Sequence, residues 1–125
     1  MLLNKLYIIN ALKSSEKDTV IADLTINDQD EIFNGHFPGR PVMPGVCLIN
    51  MLTDVVSLSE NKKYMLKSAD YVKFIAVLQP AVNAKVNVRI RKTLEAEDIL
   101  KAEASVFFEN TVFLKFKGCF EVLKR

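Results

Sequence analysis

Apolar and polar residues alternate over one segment near the start of the chain and over most of its second half. The alternating apolar residues are Val20, Ala22, Leu24 and Ile26; Val86, Val88 and Ile90; Ala104, Val106 and Phe108; and Val112, Leu114 and Phe116. A period of two places such residues on one face of a strand and the charged residues between them on the other. Turn sequences separate these runs at 14–18, 95–98 and 109–111. The pattern is typical of a half-buried antiparallel sheet.

Residues 45–60 predict one long helix. Its apolar residues wrap most of its circumference: Val46, Leu48, Ile49, Met51, Leu52, Val55 and Val56. A helix that is apolar nearly all round is expected to be buried, and Pro44 suits its first turn. Four polar residues follow the spacing i, i+3, i+4, i+7 and share one stripe: Asn50, Thr53, Asp54 and Ser57. This stripe must face solvent, a partner or a ligand.

The apolar face of the sheet needs a cover, and the one strongly apolar helix is the candidate. We therefore predict an α+β fold in which a curved antiparallel sheet wraps round one long central helix. The chain has 125 residues, a length that fits a single domain over 1–125.

Composition excludes several classes of function. The net charge is only +2 and no basic run stands out, so we expect no nucleic-acid partner. No apolar run approaches the roughly 20 residues that span a bilayer, and the first ten residues lack a signal-peptide pattern. Cys47 and Cys119 form no disulfide framework, and with one histidine no metal site is expected. These features predict a cytoplasmic protein without a membrane span.

Glycine and proline are concentrated in one short segment, GHFPGRPVMPG, at 35–45. Three of the four glycines and three of the four prolines lie there. Proline fixes φ and glycine admits unusual conformations, so the segment predicts a rigid loop that leads into the helix. His36, the single histidine, lies in this constrained segment. It is a candidate catalytic residue, although a lone loop histidine is more often structural.

The segment HFPGRPVMPGV, preceded by IFNG, resembles the signature of the FabA/FabZ-type 3-hydroxyacyl-[acyl-carrier-protein] dehydratases. Residues 64–86 also have the order of the strand that follows the helix in that family. The resemblance implies a hot-dog fold and a homodimer with two sites at the subunit interface. It implies a substrate carried as a thioester by an acyl carrier protein or coenzyme A, and loss of water to give a trans-2-enoyl product. No cofactor is expected.

The resemblance also implies roles for individual residues. His36 would take the proton α to the thioester carbonyl, with its ring held by a backbone carbonyl near Val42. Gly45 would present its N–H at the start of the helix to the thioester oxygen, a role that suits a helix N-terminus. Phe37 and Met43 would pack or line the acyl tunnel, and core packing is the favoured interpretation of both.

The sequence departs from the family at the acid. The family places Glu or Asp in the helix at the position of Asn50, and that carboxyl group, from the opposite subunit to the histidine, assists loss of the hydroxyl. Asn50 is still a candidate catalytic residue: an amide has no proton to transfer, but it could hydrogen-bond the hydroxyl or orient a water. One turn later, where the family usually has glutamine, this chain has Asp54. Asp54 is about 6 Å further along the helix, too far to replace the family's carboxyl group directly unless a water or a local shift intervenes. Asp54 is a possible accessory residue, but a solvated or interface charge is the favoured interpretation.

Three functions remain open at this point. The first is a dehydratase with a modified acid. The second is a hot-dog acyl thioesterase, in which the same helix start holds the thioester while a polar side chain directs water. The third is a degenerate partner subunit that binds acyl groups or a carrier protein. Cys47 is interpreted as a small buried apolar residue and not as a nucleophile. The loop motif favours the dehydratase.

Overall fold

The computed structural model describes residues 2–16, 18–34 and 41–124. Its elements in chain order are β1 (Tyr7–Glu16), β2 (Thr19–Ile26), a 3-10 turn (Glu31–Phe33), α1 (Gly45–Glu60), β3 (Tyr64–Phe74), β4 (Lys85–Ala96), β5 (Ile99–Phe108) and β6 (Thr111–Val122). The predicted helix bounds of 45–60 are confirmed. Pro44 is the N-cap of α1. It therefore precedes the first turn, whereas we expected it within that turn. None of the described helices is long and apolar enough to cross a membrane.

The six strands form one sheet in the order β1-β2-β4-β5-β6-β3, and every neighbouring pair is antiparallel. The chain leaves β2 for α1, and β3 then takes the edge of the sheet opposite β1. A short turn at Asn61, which has a left-handed backbone with φ 55°, ends the helix. Asparagine tolerates this conformation better than most residues. Strand β1 contains residues 14–16, so the first three residues of the turn predicted at 14–18 belong to a strand.

The core lies between α1 and the apolar face of the sheet. The fully covered helix residues Met51, Leu52, Val55 and Val56 belong to the same buried cluster as Val88, Ile90 and Val106 of the central strands. The alternation predicted for β2 and β4 is therefore confirmed, and Ala104 and Val106 in the second half of β5 are also buried. The α+β class is confirmed as well. Burial of this apolar surface is the main source of stability in a domain of this size.

One apolar helix residue is an exception to the predicted burial. Val46 is 73% exposed in the single chain, so the expectation that it is covered is wrong there. Val46 lies in the first turn of α1, and the consequence is an apolar surface at the start of the helix.

A break in the register of β6 explains another difference from simple alternation. Val106 pairs with Leu114 but its neighbour Phe107 pairs with Val112, which leaves Phe113 as the extra residue of a bulge. Phe113 is buried, although a strict period of two would place it with Lys115 on the polar face. A bulge re-aims a side chain in this way without ending the strand.

Candidate active site

The start of α1 offers backbone donors at a defined place. The N–H of Met43 donates to the carbonyl of Leu78 at 2.7 Å, which ties the segment before the helix to the loop that follows β3. The carbonyl of Pro44 accepts from Cys47 and Leu48. Within the described part of the chain, the N–H groups of Gly45 and Val46 have no backbone acceptor. Such free donors, with the positive end of the helix dipole, favour a developing negative charge.

Phe74, the last residue of β3, covers the first residue of the helix. A Cβ built on Gly45 would lie 2.6 Å from two carbon atoms of the Phe74 ring. Only glycine therefore fits beneath the ring in its present position. Three further exposed apolar residues follow Gly45 or Phe74 closely in the chain: Val46, Ile75 and Val77. We call Val46, Phe74, Ile75 and Val77 the apolar rim.

Further along α1, Asn50 and Asp54 form a hydrogen-bonded network with Tyr7 of β1. The amide nitrogen of Asn50 donates to the Tyr7 hydroxyl at 2.7 Å and to Oδ2 of Asp54 at 3.1 Å. The Tyr7 hydroxyl in turn donates to the same Oδ2. All three polar groups are therefore joined, and Oδ2 of Asp54 accepts two donors.

Burial shifts the protonation of this network. Removal from water raises the pKa of the Asp54 carboxyl above its ordinary value, and the donor bond from Tyr7 opposes that rise only in part. Burial, and then the neighbouring Asp54, raises the pKa of the Tyr7 hydroxyl. Tyrosine thus stays protonated as a donor, while Asp54 holds its own proton more readily than a surface aspartate does.

A cavity of about 570 Å³ opens beside the polar stripe of α1. Its polar lining includes Asn50, Thr53, Asp54 and Ser57, and its apolar lining includes Leu2, Leu3, Leu58 and Leu123. Tyr7 is 1% exposed and lies behind Asp54, outside this lining. The volume is in the range of small-molecule sites. The stripe predicted to face something polar therefore faces a cavity and a tyrosine.

The structure corrects one interpretation of the stripe. Asp54 is half buried and hydrogen bonded, so it is not a solvated charge; its place in an interface between subunits stays a prediction. The distance along the helix that seemed to separate Asp54 from Asn50 is closed by their side chains, which meet directly.

Other predicted residues are placed as follows. Met43 is buried in the core and does not line the cavity, which agrees with the packing interpretation. Cys47 is also buried and burial raises the pKa of its thiol, as expected for an inert apolar cysteine. Val42 is half buried. His36 and Phe37 lie outside the described residues, so their roles stay predictions.

Sequence reasoning missed Tyr7 and Phe74. Tyr7 stands in the run LYIIN, where a phenolic hydroxyl among apolar residues is a signal of a buried hydrogen bond. No pattern in the sequence indicates its partner, because Tyr7 and Asp54 are 47 residues apart. Phe74 ends an edge strand and has no periodicity that points to Gly45.

The chain is similar to known proteins over most of its length. A family model described as ApeI-like, ApeI dehydratase, matches residues 12–117. The chain is 35% identical to the 3-hydroxyacyl-[acyl-carrier-protein] dehydratase FabZ of Lactobacillus helveticus, over 78% of this chain and 70% of that protein. It is 34% identical to the FabZ of Ligilactobacillus salivarius, over 78% and 74%.

Solved structures show the same fold. The dehydratase heterocomplex ApeI:P from Xenorhabdus doucetiae contains a chain that matches with a TM-score of 0.70 at 19% identity, over 91% of this chain and 96% of that one. A thioesterase from Haemophilus influenzae matches with a TM-score of 0.64 at 14% identity, over 97% and 81%. These likenesses confirm the hot-dog fold, and at such identities they show the fold alone.

Proposed function

The chain belongs to the ApeI-like dehydratase family, and on that premise we propose that it removes water from a 3-hydroxyacyl thioester to leave a trans-2-enoyl thioester. This elimination needs a base for the α-proton, stabilisation of negative charge on the thioester oxygen, and an acid for the leaving hydroxyl. The proposal assigns these three tasks to the loop at 35–45, to the start of α1 and to the polar stripe of α1.

One observation carries the proposal. The helix begins at Gly45, directly after the glycine- and proline-rich loop, and the N–H groups of its first two residues have no backbone acceptor among the described residues. A thioester oxygen placed at this helix start would receive donors that are already oriented, at no cost of rearrangement.

His36 is the proposed base. Its position nine residues before Gly45, in a loop with three prolines, fits a side chain that must be held in place. An imidazole has a pKa near neutrality, so it accepts a proton and passes it on at ordinary pH. A backbone carbonyl near Val42 would hold the other ring nitrogen. The α-proton goes to His36 while charge develops at the thioester oxygen beside Gly45.

Asn50 occupies the position of the family's acid without being one. Both hydrogens of its amide group are directed at protein atoms, the Tyr7 hydroxyl and Asp54 Oδ2. It therefore has no proton to transfer and no free donor to offer a leaving hydroxyl. The protonation of the leaving group must come from elsewhere in the site.

The proposed substrate carrier is an acyl carrier protein or coenzyme A, whose phosphopantetheine arm would bring the thioester to Gly45. Phe37 would pack beside the acyl chain, whereas Met43 packs in the core. Loss of water changes no net oxidation state in the substrate, so the reaction itself calls for no redox cofactor. A cytoplasmic location is part of this proposal.

A homodimer is also part of the proposal. Strand β3 lies at an edge of the sheet, and several exposed apolar residues lie on it or just after it: Met65, Tyr71, Phe74, Ile75 and Val77. A long edge strand with exposed apolar side chains is a site for pairing with another chain. Two copies joined along β3 would extend the sheet, set the two helices back to back and cover the apolar rim.

The experiment that tests the function scores three products at once. Purified protein is incubated with 3-hydroxyacyl thioesters of coenzyme A, and the enoyl thioester, free acid and free thiol are measured by chromatography. Enoyl thioester is the expected product. Free thiol with free acid would support the thioesterase in its place, and no product from any chain length would leave the degenerate partner subunit as the better account.

A further inference from the structure

We propose that Asp54 is the acid that protonates the leaving hydroxyl, and that Tyr7 is a positioning residue that holds Asp54 for this task. The inference rests on the proposed dehydratase function and deepens it, because it supplies the proton donor that Asn50 cannot be. It gives a role to a tyrosine that neither the loop motif nor the start of the helix requires.

The three residues of the network differ in whether they reach the cavity. Asp54 and Asn50 line the cavity of about 570 Å³, whereas Tyr7 does not. Tyr7 is almost completely buried and reaches Asp54 from β1 through its hydroxyl. The carboxyl group of Asp54 can therefore contact a molecule in the cavity, whereas the tyrosine acts only through that carboxyl group.

The hydrogen bonds indicate which oxygen of Asp54 can carry the acidic proton. Oδ2 of Asp54 accepts from both Tyr7 and Asn50. An acidic proton therefore belongs on the other oxygen, Oδ1. The amide of Asn50 must direct its nitrogen, and not its oxygen, at Tyr7 and Asp54. Asp54 Oδ2 can only accept, and the hydrogen of the Tyr7 hydroxyl is already donated to Oδ2. Asn50 and Tyr7 together would stabilise the carboxylate that remains after proton transfer.

The burial of Asp54 favours its protonated form more than exposure at a surface would. Burial favours the neutral form of Asp54 and the donor from Tyr7 favours the ionised form, with burial the larger effect. Among the described residues, the other ionisable groups that line the cavity are Lys62, Lys63 and Tyr64. The two lysines follow the C-terminal end of α1 and Asp54 lies between them and the helix start.

The elimination then balances. His36 takes the α-proton, and the electron pair of that C–H bond forms the double bond between carbons 2 and 3. The bond from carbon 3 to oxygen breaks, and the oxygen takes the proton from Asp54 and leaves as water. The imidazolium of His36 and the carboxylate of Asp54 are left, and solvent carries the proton from the first to the second before the next turnover.

The test uses a substrate that needs no acid. Chloride leaves carbon 3 of a 3-chloroacyl thioester without a proton, while hydroxide does not. Asp54→Asn is expected to lower turnover of the 3-hydroxyacyl thioester by about 10²–10⁴-fold, the factor for a positioned acid, and to leave chloride elimination within about threefold of the unmodified protein. His36→Ala defines the rate that remains without the base, and it should lose both eliminations.

Tyr7→Phe gives a second, milder test. It removes one hydrogen bond to a carboxylate, so turnover of the 3-hydroxyacyl thioester should fall about tenfold or more while chloride elimination stays. Because the lost donor favoured the ionised form of Asp54, the alkaline limb of the pH–rate profile should move to higher pH. A tyrosine with a merely structural role would not move that limb.

The chain offers matched controls. Asp23 accepts a hydrogen bond from Asn87 at 2.6 Å on the exposed face of the sheet, so Asp23→Asn should leave both eliminations unchanged. Equal loss of both eliminations in a folded Asp54→Asn, or retention of both, would overturn the role of Asp54. Failure of the unmodified protein to eliminate either group would instead overturn the proposed function.

Discussion

The ring of Phe74 lies so close to Gly45 that a single added carbon would stand 2.6 Å from two of its atoms. The last residue of an edge strand thereby sets the space above the first residue of the helix. Position 45 requires glycine because the Phe74 ring lies where a side chain would be. The backbone freedom of glycine is not the reason.

Gly45→Ala should therefore lower the free energy of unfolding only while the Phe74 ring is present. In the unmodified background we expect a loss of about 1 kcal/mol in the free energy of unfolding, typical of mild overpacking. In a Phe74→Ala background the same change should be neutral or stabilising, because alanine is the better helix former. Denaturant unfolding of the four variants measures the coupling. An equal effect of Gly45→Ala in both backgrounds would show that the ring does not restrict the site.

Exchange of the acid and the amide along the helix gives a second prediction. Asp54→Gln alone should lose most water elimination, and Asn50→Glu/Asp54→Gln should recover it, because the double variant has the order of acid and amide found in the family. Turnover of 3-hydroxyacyl thioesters at one pH compares them. If the double variant stays as slow as Asp54→Gln while folded, a carboxyl group at position 50 does not reach the leaving hydroxyl.

The stability of the fold should depend on pH through Asp54. Burial raises the pKa of Asp54 in the folded protein above its ordinary value of 3.8, so the folded state binds more protons than the unfolded state between those two values. The contribution of Asp54 to stability is then largest below the ordinary pKa and is lost as pH rises through the raised one. Asp54→Asn should lack this fall. Urea unfolding of both proteins across that range tests it, and parallel pH curves would contradict the raised pKa.

The proposed pairing along β3 predicts the state of the protein in solution. We expect a dimer at micromolar concentration by sedimentation velocity, because the exposed apolar residues of β3 and the apolar rim otherwise remain in water. Phe74→Lys, which places a charge within that surface, should shift the equilibrium toward the monomer. A stable monomer of the unmodified protein at micromolar concentration would count decisively against the homodimer.

Much of the fold follows from the sequence. Periodicity of two indicates β2, β4, β5 and β6 because each has a buried and an exposed face, and the continuous apolar pattern gives α1 with its correct bounds. The edge strands β1 and β3 are largely exposed, so no clear alternation marks them. The bulge at Phe113 also escapes a periodic pattern, since an extra residue shifts the alternation within one strand.

The candidate site could be predicted only in part. The position of Gly45 at the helix start and the shared stripe of Asn50 and Asp54 follow from spacing along one element. The contact of Asp54 with Tyr7 depends on how β1 lies against the helix, and the contact of Phe74 with Gly45 depends on where β3 ends. Such relationships between elements distant in the sequence are settled by packing, which local patterns do not contain.

The most direct test of the central claim is the intact mass of an acyl carrier protein loaded with a 3-hydroxyacyl group, measured before and after incubation with the purified protein. The account predicts loss of the mass of one water from the loaded carrier. It also predicts that His36→Ala slows this loss by at least about 10²-fold while remaining folded. A carrier whose mass is unchanged, or one that has lost its whole acyl group, would contradict the account.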